Sequence, residues 1–409
     1  MKYVVTGLKL AICLAVLAAG PAFTQSTSDE ATSNTAAAPV AYVYVQTTKG
    51  VNLYDAAANG KLTLAKGSPF KTVGEMIGSN GTHFITLGTN WVHVYPVESN
   101  GAIAKQVSTA NTQDYDGADC GPTTNAGLDH TGQNLSVMLE YGSCDAIQSF
   151  KISKSSGELT FNGALVFSNS YFFPQVPTIT ANEKFAYVEN NRGDFEGAPG
   201  PLTGFARGSD GVLQFLDFRE TDPTPWPNYE WVLNSVVADP ANHLAVVIDG
   251  YDGNTPYEQN TNVQLASYTE DSEGNLVSKN TYEDMPAPIV APDLIQMSPS
   301  GKLLAVAGNG DDPSDFNQPL PGLQIFHFNG ASPITPFSKV LTSADFYQSS
   351  LYWDNNNHLY ALGSLKGGVF QLFVYTITPT SISEAPGSPY TIPDVEQNYL
   401  QNSLVVVPK

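Results

Sequence analysis

Apolar residues along this chain keep a short period, grouped in runs of four to eight that are bounded by Gly, Asn, Asp and Ser, the pattern of β-strands closed by turns. One kind of run follows a turn directly, as in "SNGTHFITLG" from Ser79, "DHTGQNLSVML" from Asp129, "TANEKFAYVEN" from Thr180, "ADPANHLAVVID" from Ala238, "MSPSGKLLAVAG" from Met297 and "WDNNNHLYALG" from Trp353. A second kind ends in its own glycine turn, as in "VNLYDAAANGKLTLAKGSPF" from Val51, "VHVYPVESNGAIA" from Val92, "IQSFKISKSSGELT" from Ile147, "LTGFARGSDGVLQ" from Leu202, "VQLASYTEDSEGNLV" from Val263, "LQIFHFNGASPI" from Leu323 and "FQLFVYTITPTSI" from Phe370. The turn glycines Gly60, Gly101, Gly157, Gly211, Gly274 and Gly330 recur at intervals of about 40 to 60 residues, enough for four strands and their loops.

The two kinds of run do not match in number. The first unit, from Val40, lacks an upstream strand, while "NYLQNSLVVVP" from Asn398 is a strand with no unit after it. If that last strand joins the first unit, the ring closes with no free inner edge. The expectation is an all-β chain, a seven-bladed β-propeller over residues 40–409, closed by the C-terminal strand in the first blade. Composition agrees: 14% charged residues with 35 Gly, 28 Pro, 20 Tyr and 20 Phe disfavour helical bundles and coiled coils.

Residues 1–22 read as a secretory signal, with Lys2 and Lys9 before the apolar stretch Leu10–Ala19 and small residues at Ala19-Gly20-Pro21-Ala22. The stretch is too short for stable membrane insertion. Residues 23–39, rich in Ser, Thr and Ala, read as a flexible lead-in. A periplasmic or extracellular protein is therefore expected, and in that setting Cys120 and Cys144 are expected to form one disulfide. The net charge of −21 repels phosphate backbones, so nucleic acid is excluded as a partner; a closed ring needs no second chain, so a monomer is expected.

The units "SPSGKLLAVAG" with "LQIFHFNG", the unit "VNLYDAAANGKLTLAKGSPF", and the echo of "AKGSPF" in "APGSPYTI" from Ala385 resemble the blades of secreted lactonase-type seven-bladed propellers, the family that includes bacterial 6-phosphogluconolactonase and surface-layer repeat proteins. The resemblance covers nearly all of the chain after the leader. It implies a lactone hydrolase, with a His, a Glu and an Arg brought from successive blades to the mouth of the ring. Opening a lactone requires a base to activate water and a positive group for the oxyanion. The segment where the resemblance implies a His, "ADCGPTTNAGLDHTG" from Ala118, has none before His130, which falls in the turn itself and serves either as the catalytic His or as a solvated surface residue. "AYVENNRGDF" supplies Glu189 and Arg192, which serve either as that pair or as a loop ion pair.

Acidic loops at "QDYDGADCG" from Gln113, "IDGYDGNTPYEQN" from Ile248 and "GNGDDPSDFNQPLPG" from Gly308 do not match the twelve-residue calcium loop. Neither metal nor cofactor is expected. These insertions would gather on one face of the ring. Trp226, Tyr229 and Trp231 in "DPTPWPNYEWV" either stack on a sugar or partner protein or fill the wedges between blades. No nucleophile elbow, zinc-protease helix, phosphate loop or dinucleotide fingerprint is present. The expectation is thus a binding or scaffold module for a glycan, peptide or envelope protein, with a hydrolase of a lactone or sugar ester as the alternative.

Overall fold

The strands with a near-continuous apolar sequence are those buried on both faces, and this property organises the molecule. In the computed structural model, Ala41–Thr47 is buried at every position. Its odd residues Ala41, Val43 and Val45 face one hydrophobic cluster, while Tyr42 and Tyr44 face another. His243–Asp252 repeats the division, with Leu244, Val246 and Ile248 on one side and Ala245 and Val247 on the other. Such strands lose the polar–apolar alternation of a one-sided sheet because both side-chain rows are packed.

The structure describes residues 37–114, 121–141, 144–167, 176–188, 202–218, 229–252, 260–281, 283–290, 292, 294–308, 321–365, 368–395 and 403–409. These form seven antiparallel sheets. Each sheet is a blade whose four strands are termed a to d from the centre outwards. Blade 1 takes strand a from the far end of the chain, Leu404–Pro408, and continues with Ala41–Thr47, Gly50–Ala56 and Leu62–Leu64. Leu404 to Pro408 pairs antiparallel with Val45 to Ala41, so the predicted closure is the one observed. The inner strands of blades 2 to 7 are Glu75–Ser79, Thr123–Leu128, Thr178–Ile179, Tyr229–Ala238, Leu294–Met297 and Asp345–Trp353. Blade 7 carries an additional short strand, Tyr390–Thr391, beside its strand c.

Seven hydrophobic clusters occupy the seven seams between neighbouring blades. The recurrent turn glycines secure the seams. Each lies in the turn between strands c and d, has a positive φ, and sits on a side chain at the start of strand b in the preceding blade. At Gly330, with φ of 65°, a Cβ would lie 3.0 Å from the His243 ring; at Gly157, with φ of 72°, it would lie 2.7 Å from the His83 ring. Glycine is required there twice, for the left-handed backbone and for the close approach.

Strand direction alternates within a blade, which gives the ring two unlike faces. The a–b and c–d turns share one face, termed the turn face. The b–c and d–a connections leave from strand ends on the other, the loop face. The strand ends that bracket residues 189–201, 253–259 and 309–320, and those that bracket residues 115–120, 168–175 and 219–228, all lie on the loop face.

Candidate functional site

The seven inner strands enclose a central cavity of about 470 Å³, to which every blade contributes, from Ile77 in blade 2 to Val405 and Val406 in blade 1. Its wall is built of small and apolar residues with a few neutral polar ones, among them Ser79, Asn125, Thr178, Ser235, Gln296 and Tyr352. Burial pushes the Tyr352 phenol up to about 12, so it is a neutral hydroxyl at physiological pH, able to donate a hydrogen bond and unable to act as a base. Gln296 and Tyr352 also line a second cavity of about 580 Å³ at the turn-face mouth, together with His130, Asp239 and the prolines Pro240 and Pro299.

His130 is carried by the a–b turn of blade 3 and stands at that turn-face mouth. Its Nε2–H donates to the Ile179 carbonyl at 2.6 Å, which fixes the ring across the seam to blade 4. Beside it lies an ionic network that the sequence did not reveal. Arg207, on strand c of blade 4, places Nη2 2.6 Å from Asp129 Oδ2 and Nη1 2.6 Å from Glu183 Oε2. The Arg207 and Asp129 side chains are 6% and 0% exposed, so this bridge is sealed from water. Burial alone would raise the Asp129 carboxyl, but hydrogen bonds from Asn134 and Thr131 and the charge of Arg207 outweigh it and hold it below the usual range. Glu183 is shifted the other way, because burial and the Asp129 charge outweigh Arg207. Glu183 also has φ of 60° at the turn position where blades 3 and 6 have Gly132 and Gly301, a conformation unfavourable for a residue with a side chain.

Related Asp-turn pairs secure blades 5 and 7. His243 Nδ1 is 3.0 Å from Asp239 Oδ2, and His358 Nδ1 is 2.7 Å from Asp354 Oδ2, which also accepts the Tyr360 hydroxyl at 2.9 Å. Burial would raise Asp354, but hydrogen bonds from the His358 ring and amide outweigh it and keep it low. These carboxylates tie the start of strand b to its turn; their acceptor capacity is spent on structure.

Of the other predicted site residues, Glu189, Arg192, Trp226 and Cys120 lie outside the described residues. Tyr229 and Trp231 open strand a of blade 5, and Cys144 opens strand c of blade 3, but their side chains lie outside the described set. Most of the three acidic loops falls outside it too, the Asp114 backbone lying in a short 3-10 turn. Val188, which precedes Glu189, ends its strand on the loop face, whereas His130 stands on the turn face. Among the described residues no cluster of three or more His, Cys, Asp or Glu is placed to hold a metal, and no helix is long and apolar enough to cross a membrane.

No known family pattern matches the sequence, and no curated protein matches it significantly. Solved structures do match in shape. A candidate 6-phosphogluconolactonase from Bacteroides uniformis is 12% identical, with 87% of this chain and 97% of that one covered at a TM-score of 0.57. The periplasmic gluconolactonase of Pseudomonas aeruginosa is 13% identical, with 84% and 81% covered at a TM-score of 0.48. The likeness is one of fold: this chain is a seven-bladed β-propeller of lactonase-like architecture.

Proposed function

We propose that this protein is a secreted propeller that acts as a binding or scaffold module, engaging a glycan, peptide or envelope protein through its loop face. The observation that carries the reading is the difference between the two faces. Turns of two to six residues, many tied down by carboxylates and glycines, make up the turn face apart from the longer c–d connection 97–107, whereas the connections through residues 189–201, 253–259 and 309–320, and through 115–120, 168–175 and 219–228, run between strand ends on the opposite face. A rigid ring that presents long connections on one side has the form of a recognition surface. Trp226, Tyr229 and Trp231 belong to the segment that enters blade 5 from that side. Capture of glycans and envelope proteins by the mature chain is expected to fall when all three are changed to Ala; unchanged capture would overturn the aromatic contribution.

The second reading is a hydrolase that opens a lactone or sugar ester. It is favoured by the point at which strand b of blade 4 ends, since Val188 closes that strand on the loop face just before Glu189. In this reading Glu189 activates water and Arg192 receives the oxyanion. Turnover of sugar and acyl lactones that is lost in both Glu189→Ala and Arg192→Ala would establish it in place of the binding role.

Export follows from residues 1–22 acting as a signal, which sequencing the N-terminus of the protein recovered outside the cytoplasm checks. The Cys120–Cys144 disulfide belongs to the same proposal, because both cysteines adjoin loop-face ends of blade 3 strands. Free-thiol titration of the mature protein under denaturing conditions should find none.

A further inference from the structure

The turn-face mouth of the channel is a pocket that the loop-face reading leaves without a role. Its volume of about 580 Å³ falls within the range of small-molecule sites. The rim is formed by the same turn position in four successive blades, His130, Ala181, Pro240 and Pro299. Two of these are prolines, so the rim is stiff before anything binds. Met297 and Trp353, 8% and 5% exposed, form an apolar wall, and Gln296 and Tyr352 form the floor.

The polar groups are few and converge. Because Nε2 of His130 is committed to Ile179, Nδ1 is the ring atom left to meet a ligand. The Gln296 side-chain amide and the Tyr352 hydroxyl have no hydrogen-bond partner among the described residues. Of the nearby charged groups, Asp239 lines the pocket but its carboxylate accepts the Ala241 and His243 amides and faces His243 Nδ1, while Arg207 is held by Asp129 and Glu183. No Lys or Arg lines the site, and the chain carries a net charge of −21, so an anion finds neither partner nor favourable field. Apolar walls with a few placed hydrogen-bonding groups select a neutral ring with a polar substituent.

We propose that this pocket binds an uncharged aromatic or alicyclic small molecule bearing a hydroxyl, amine or amide, its ring against Trp353, Met297 and the rim prolines and its polar group on Gln296, Tyr352 and His130 Nδ1. The site is separate from the loop face, so it stands whether or not the binding-module reading does.

The test is a fluorescence titration of the mature full-length protein with N-phenyl-1-naphthylamine, an uncharged aromatic amine, and with 8-anilinonaphthalene-1-sulfonate, a related anion. Saturable one-to-one binding of the neutral probe is expected, with the anion weaker by about tenfold or more. Ala181→Trp fills the rim, and Gln296→Glu puts a carboxylate on the floor; each should weaken the neutral probe by about tenfold or more, with the melting temperature checked in parallel. Should Ala181→Trp fail to fold, Gln296→Glu carries the test. Replacing Trp226, Tyr229 and Trp231 by Ala should leave probe binding unchanged. Absence of saturable binding, equal binding of the two probes, or unchanged binding in a folded Ala181→Trp or Gln296→Glu variant would overturn the proposal.

Discussion

Arg207 is the residue on which the seam between blades 3 and 4 depends most. It neutralises two carboxylates from two blades, and its pair with Asp129 lies where water does not reach. Removing one partner of a buried ion pair leaves an uncompensated charge, at a cost of about 3–5 kcal/mol. Arg207→Met is therefore expected to lower the unfolding free energy from denaturant titration by that order, whereas Lys49→Met, which breaks the exposed pair with Asp394, should change it by less than about 1 kcal/mol. The pH dependence has a definite sign. Asp129 has a depressed pKa in the folded state, so its contribution is fully present above the unfolded value of about 3.9 and is lost as pH falls through the folded value. The raised Glu183 opposes folding as it ionises, so its protonation near and above the usual Glu value acts in the other direction. Subtracting the stability curve of Asp129→Asn from that of the wild type should leave a difference that disappears on acidification below about pH 4.

At the level of the element, the c–d turn glycines are the joints between blades. Gly81 and Gly60 have similar left-handed backbones, with φ of 86° and 79°, yet nothing lies within 4 Å of a Cβ at Gly81, while one at Gly60 would lie 2.7 Å from Ala385 Cβ. Gly81→Ala is expected to cost only the backbone strain, about 1–2 kcal/mol. Gly60→Ala should cost clearly more, because the blade 1–blade 7 seam must also open. Comparison of the two melting temperatures isolates the contact from the backbone preference. The recurrent glycines were legible in the sequence as turns, but their role against the adjacent blade was not, since the partner side chain, His358 for Gly60 and Tyr42 for Gly101, lies far away along the chain.

For the whole molecule, closure is the decisive contact. Leu404, Val405, Val406 and Val407 alternate between the clusters of two seams, so one short strand completes both sides of blade 1. Each fully buried side chain of this size contributes about 1.5–3 kcal/mol. Together they are comparable with the about 5–15 kcal/mol that holds a typical domain folded. Lys409 adds a hydrogen bond to the Tyr42 hydroxyl at 2.7 Å. Ending the chain after Asn402 should abolish the cooperative unfolding transition, whereas ending it after Pro408 should retain it; circular dichroism during thermal unfolding distinguishes the two.

The sequence by itself determined the repeat, the number of blades and the closing strand, because each is written in local patterns of apolar runs and turn glycines that need no distant partner to be recognised. It also showed His130 to be a turn residue, which it is. Tertiary structure alone decided that Arg207 is the buried ion-pair arginine, that Asp239 and Asp354 serve their own turns, and that Gln296, Tyr352 and His130 meet at one mouth of the channel. These groupings bring together residues from different blades, and which side chain faces the axis depends on strand register and on the order of strands around the ring, neither of which leaves a periodic mark in the chain.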